Sequence, residues 1–243
     1  MNGGPVFSLA GLLLLAVTEA ATADLVAFLP RADSAISHER ALREDPALAG
    51  LGITVVLRWR AFAEAMATSP AAIAVAPSGI LLDSGWTPLR QGLRNGEDHE
   101  RQSLVAIDGA VDLAGLTRRT VALVQESQRE QGLAWLTGAY PDLPRDLTVR
   151  PVARPEDLLQ VLGLDLAGAA VLTAAQTTAA RERFPGSLKV LAHSRPLRLM
   201  VVACRAPGTA ARAQILDRLG QPALEALGLT GFAPFTGPAV PWP

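Results

Sequence analysis

Cysteine occurs once in the 243 residues, at Cys204, and lysine once, at Lys189. A single thiol excludes an internal disulfide, so stability must come from the packed core alone. Cys204 ends the apolar run Leu199–Cys204, the setting of a buried and inert thiol. Almost every basic residue is arginine, which reflects genome composition before function. Basic charge is in no excess either, with 22 Lys+Arg against 23 Asp+Glu. Binders of nucleic acid or of a membrane surface carry a basic surplus, so neither partner is expected. Beyond residue 23 no apolar run approaches the roughly 20 residues that a membrane-crossing helix needs. Signatures of catalysis are missing as well: no Gly-x-Ser-x-Gly elbow, Gly-Lys-Ser/Thr phosphate loop, Cys-x-x-Cys pair or His-Glu-x-x-His helix occurs. An enzyme is not expected, and no cofactor is implied.

What is present begins with an address. Val6–Val17 is an apolar stretch of about a dozen residues, the length of a signal-peptide core. Thr18-Glu19-Ala20 and Ala21-Thr22-Ala23 follow it with small-x-small spacing, which places cleavage after Ala23 and makes 1–23 a signal peptide. No Lys or Arg precedes the core and Glu19 sits near the cut, so an ordinary buried first helix is the competing reading. With export, residues 24–243 carry as many acidic as basic side chains, and no cysteine stands at the cut to take a lipid. A free, monomeric protein of the periplasm, with no membrane insertion after cleavage, is the expectation.

The rest alternates between short apolar runs and helical spacing. Leu25–Leu29, Ile53–Leu57 and Ala72–Ala76 read as strands, with helices over Asp33–Ala49, around Phe62 and Met66, and from Pro77-Ser78. Arg90–Gln102 reads as a charged connection into a strand at Ser103–Ile107. A second series has strands at Thr120–Val124, Leu147–Val152, Ala169–Thr173 and Leu188–Ala192, with helices over Ser127–Leu136, Pro155–Leu162 and Gln176–Arg183. Leu197–Ala203 reads as a returning strand, and Ala210–Leu219 and Pro222–Leu227 as closing helices. Strand and helix in alternation mean mainly parallel sheets flanked by helices. The Pro-rich tail, Pro234–Pro243, is expected to be extended.

Three passages carry a likeness. Phe62-Ala63-Glu64-Ala65-Met66 before Ala72-Ile73-Ala74-Val75-Ala76-Pro77, then Pro88-Leu89-Arg90 through Gly96 to Ser103-Leu104-Val105, then Val111-Asp112-Leu113-Ala114-Gly115-Leu116 before Thr120-Val121-Ala122, occur in this order. This pattern resembles the type 2 periplasmic solute-binding proteins of ABC importers, in the branch that includes phosphate and phosphonate binders. The resemblance implies an α/β, two-lobed fold whose lobes, 24–104 with 197–243 and 105–196, are joined by two crossing strands. It also implies a small polar or anionic solute and an ABC transporter permease as partners. An accessory or sensory protein of the same fold, acting through a protein partner, is the alternative.

Ligands of open α/β sheets sit beyond the carboxyl ends of the strands. That rule selects Arg31, Ser34, Trp59 and Ser78 from the first lobe, and Ser127, Gln128 and Thr173 from the second. Each has a plainer alternative: Ser78 and Ser127 as helix N-caps, Trp59 as packing at the sheet edge, Arg31 as a solvated loop residue. The resemblance places an anion-gripping turn at Gln125-Glu126-Ser127-Gln128. Glu126 departs from it, since a carboxylate about 4 Å from a bound anion repels it by roughly 4 kcal/mol at an effective dielectric near 20. The alternative is that Glu126 complements the helix terminus and faces solvent. Asp98-His99-Glu100 is the one acidic-histidine cluster, and neither His38 nor His193 has ligand-like spacing to it, so no metal site is expected.

Overall fold

The computed structural model describes residues 24–81, 85–107, 112–126, 132–205 and 207–236. The signal-peptide reading of 1–23 therefore lies outside the described residues, as do Ser127, Gln128 and the tail beyond Thr236. No helix among the described residues is long and apolar enough to cross a membrane.

The chain opens with β1 (Leu25–Phe28), α1 (Ala35–Arg43), β2 (Ile53–Val56), α2 (Trp59–Thr68), β3 (Ile73–Pro77) and α3 (Ser78–Leu81). All four residues of β1 are buried, as befits a central parallel strand covered on both faces, whereas β2 alternates buried and half-buried side chains at the sheet edge. The helix expected over Asp33–Ala49 ends at Arg43 and resumes as a 3-10 turn over Pro46–Leu48. Pro46 supplies no N–H to continue an α-helix, and Asp45 caps the new turn by accepting from the Ala47 amide at 2.8 Å.

Next come β4 (Thr87–Leu93), β5 (His99–Glu100), β6 (Ser103–Ala106), β7 (Thr120–Val124), α4 (Gly132–Ala139), β8 (Thr148–Val152), α5 (Pro155–Gly163), β9 (Ala169–Leu172), α6 (Ala174–Arg183) and β10 (Lys189–His193). The chain closes through β11 (Leu197–Arg198), β12 (Met200–Cys204), 3-10 turns over Pro207–Arg218, α7 (Gln221–Ala226) and β13 (Gly231–Pro234). The charged connection read over Arg90–Gln102 is in fact strand for much of its length. β4 lies between β12 and β13, and its polar side chains are satisfied there: Arg90 pairs with Asp217 at 2.9 Å, and buried Gln91 accepts from Arg198 at 3.1 Å.

Two sheets result, ordered β13-β4-β12-β3-β1-β2 and β10-β6-β9-β7-β8. Parallel pairing is confined to three strands in each, β2-β1-β3 and β8-β7-β9. The remaining strands join antiparallel because β12 and β6 arrive from the other sheet and not through a crossover helix. Each sheet buries apolar clusters on both faces: Phe62 and Met66 of α2 join Phe28 of β1 in one, Leu42 of α1 and Leu224 of α7 share another, Leu158 and Val161 of α5 belong to a third, and Leu136 of α4 and Tyr140 just beyond it belong to the fourth. Cys204 is buried, as expected.

Between the sheets runs a two-stranded antiparallel ribbon of β5 and β11, in which Leu197 pairs with Glu100 and Arg198 with His99. These are the two crossing strands. Just beyond them Ser194 and Gln102 are joined by two hydrogen bonds: the Ser194 amide donates to the Gln102 carbonyl at 2.8 Å, and the Gln102 amide donates to the Ser194 side-chain Oγ at 2.9 Å.

Candidate functional site

The middle strand of each parallel trio, β1 in one sheet and β7 in the other, ends at the cleft. Beyond β1 the chain turns through Leu29-Pro30-Arg31, with the Ala32 amide donating to the Leu29 carbonyl at 3.1 Å, and this turn projects Arg31. Beyond β7 the Gln125 amide donates to the Val152 carbonyl at 2.9 Å, which extends the ladder by one residue and sets Glu126 at its mouth. The two side chains meet: Arg31 Nε donates to Glu126 Oε1 at 2.6 Å. Neither faces open solvent, with side-chain exposures of 25% and 13%. Glu126 therefore spends its carboxylate on the opposite lobe, and the solvent-facing alternative does not hold.

The pair belongs to a longer network. Arg31 also lies 3.7 Å from Glu100 of β5, and Glu100 in turn accepts from Arg94 at 2.6 Å and from Gln102 Nε2 at 3.1 Å. Arg94 donates twice more, to the Gly228 carbonyl, at 2.8 and 3.0 Å. Two cations and two carboxylates thus alternate from the second lobe through the first to the ribbon, and their formal charges cancel. Burial disfavours the charge on Arg31, but Glu126 and then Glu100 outweigh it and raise its pKa above the ordinary value.

A small cavity of about 20 Å³, room for little more than a water molecule, lies beside the pair, lined by Arg31, Glu126, Gly132, Leu123, Val124, Val171 and Trp135. Tyr140, stacked edge-on to Trp135 at 6.5 Å, is buried close enough to Arg31 to feel its charge. Its hydroxyl has no hydrogen-bond partner among the described residues. Burial pushes the phenol well above its usual range and the Arg31 cation opposes that only in part, so the group stays a neutral donor. An unmatched donor beside a guanidinium is suited to an acceptor oxygen brought from outside.

The residues singled out in sequence fall into four groups. Arg31 lines the cavity. Ser34, Ser78 and Thr173 make backbone contacts: Ser34 Oγ accepts from the Ser37 amide at 3.3 Å, Ser78 Oγ donates to the Arg198 carbonyl at 3.3 Å, and Thr173 with Gln176 forms a reciprocal capping box on α6. Trp59 opens α2 and packs edge-on against Phe28 at 6.4 Å. Ser127 and Gln128 fall outside the described residues. Sequence reasoning did not single out Glu100 as a cleft residue, nor Trp135 or Tyr140. The acidic cluster at Asp98-His99-Glu100 was the available signal for the first. Among the described residues no group of three His, Cys, Asp or Glu side chains converges as a metal site.

The architecture has solved counterparts. XAC2383 from Xanthomonas citri, bound to ATP, superposes with a TM-score of 0.65 over 89% of this chain and 92% of its own, at 17% identity. The binding-protein component of an ABC phosphonate transporter from Pseudomonas aeruginosa gives 0.62 over 87% and 80%, at 11% identity. PhnD1 from Prochlorococcus marinus, in complex with methylphosphonate, gives 0.60 over 87% and 92%, at 10% identity. The fold is that of the two-lobed periplasmic solute-binding proteins. No family model matches the sequence, and no curated protein matches it. The likeness is thus one of fold, and phosphonate-binding proteins are among the similar structures.

Proposed function

We propose that this protein is an exported solute-binding protein that closes its two lobes over a small polar solute and presents it to the permease of an ABC importer. The observation that carries the reading is the cross-cleft meeting of Arg31 and Glu126 beside a cavity, with the buried Tyr140 hydroxyl, which lacks a partner among the described residues, within reach of the charge on Arg31. Arg31 and Tyr140 hold an acceptor oxygen of the solute, and Trp135 with Val171 forms the apolar wall. The 125–128 turn, with Ser127 and Gln128, supplies further polar contacts. Hydrogen bonds made there strengthen as closure excludes water. In this reading residues 1–23 are the signal peptide, the location is the periplasm, 24–104 with 197–243 moves against 105–196, and the β5–β11 ribbon is the hinge. Catalysis has no part in it.

A panel of oxyanions, amino acids and small organic acids tests it. One class is expected to raise the melting temperature and to shrink the radius of gyration in solution scattering, because a ligand favours the closed state by its differential affinity. A panel that moves neither quantity overturns the reading in favour of the accessory protein of the same fold.

A further inference from the structure

We infer that Glu126 is the cleft's own anion, a specificity-determining residue that occupies the seat on Arg31 and turns the site away from phosphate-like dianions toward polar solutes without net negative charge. This rests on the solute-binding reading above and narrows it.

Three observations support it. The carboxylate of Glu126 accepts from Arg31 Nε at 2.6 Å although 95 residues separate the two and they stand on different sheets. A second carboxylate, that of Glu100, flanks the same guanidinium at 3.7 Å, so an anion approaching Arg31 meets negative charge from the second lobe and from the ribbon. Within the network, Arg94 already neutralises Glu100 as Arg31 neutralises Glu126, and no cation in it is left over for an incoming dianion. A solute with no net negative charge can use the Tyr140 donor and the apolar wall without displacing the pair. A dianion must displace Glu126 and then remain beside it.

Because the pair bridges the lobes, it also biases the empty protein toward closure, which solute binding then completes. Neutralising the carboxylate should therefore do two things at once: loosen the empty protein and open the seat to oxyanions.

The experiment compares the wild-type protein with Glu126→Gln and Glu126→Asp, using methylphosphonate titrated by calorimetry and small-angle scattering without solute. Glu126→Gln is expected to bind methylphosphonate at least about tenfold more tightly than wild type, the effect of about 1.4 kcal/mol of relieved repulsion, and to show a larger radius of gyration when empty. Glu126→Asp keeps the charge but withdraws it by one methylene, so it should expand without gaining methylphosphonate affinity, and it keeps the test available if the amide variant does not fold. Wild type binding methylphosphonate as tightly as Glu126→Gln overturns the inference. So does a pair of folded variants that are no larger than wild type when empty. If either of these occurs while some solute still contracts the wild-type protein, solute capture stands and only the role of Glu126 is lost. If the variants expand and Glu126→Gln gains the oxyanion, but no solute contracts the wild type, the solute reading fails alone.

Discussion

β1 and β7 occupy the same place in their respective sheets. Each is the middle of a three-strand parallel core, β2-β1-β3 and β8-β7-β9, and each core is extended by an antiparallel strand that crosses from the other sheet. Each also delivers one side chain to the cleft within three residues of its end, Arg31 after β1 and Glu126 after β7. The backbone environments are alike and the charges are opposite. Fold repetition thus decides where a functional side chain stands, and a single residue choice decides what that place holds.

The two halves differ more in their cores. Under α2 the first sheet stacks Phe28 on Phe62 with ring centroids 5.4 Å apart, whereas under α5 the second relies on aliphatic Leu158, Val161 and Leu162. Breaking that stack gives the largest expected effect. Phe62→Ala should cost about 3–5 kcal/mol in chemical denaturation, and if the halves unfold separately only the first transition should move.

The next effect is sharpened by composition, since Tyr140 is the sole tyrosine. Its folded pKa is raised above the ordinary 10.0, so the neutral phenol contributes stability below that value and the contribution is lost as pH rises beyond it. Near-ultraviolet titration should show no phenolate in the usual tyrosine range, only with alkaline unfolding, and stability should fall as pH passes the ordinary value. A phenolate forming at its usual pH would mean that the cleft wall is open to water.

Arg31→Gln comes third. It leaves two carboxylates without their shared cation, and for a partly exposed pair a loss of about 1–3 kcal/mol is expected, measured by urea titration. The variant should also expand in solution. The smallest effect tests whether the cap hydroxyls are structural: Thr173→Ala should cost about 1 kcal/mol of stability through the lost capping box and leave the radius of gyration unchanged.

Much of the architecture was legible because buried parallel strands announce themselves as short apolar runs: Leu25–Phe28, Ile53–Val56 and Ala169–Leu172 all lie within strands expected from the pattern. β4 was not, since its Arg90, Gln91 and Gly92 resemble a loop until β12 and β13 close on either side. A local signal was nevertheless present. Asn95-Gly96 is the pair that a tight two-residue hairpin demands, and both take positive φ, 54° and 84°, while Arg94 and Glu97 exchange hydrogen bonds across the turn. At the site, Arg31 was reachable from the rule about strand ends, and Glu126 stood out as a misfit in an anion-binding turn. That each answers the other was not reachable, because contact between them exists only once two separately patterned sheets face each other. The hydroxyls of Ser34 and Thr173 looked like ligand groups for a related reason: a residue that caps a helix and one that greets a solute occupy the same sequence position.

The ribbon of β5 and β11 has a mechanical meaning. Its strands are paired to one another, so the two passages of chain between the halves are less free to stretch or slide apart than to twist as one, like the pages of a book on a common spine. Glu100 sits on that spine and also touches Arg31. On the proposed solute-binding reading, whatever disturbs the guanidinium pulls on the pivot itself, so filling the crevice and turning the molecule become a single event.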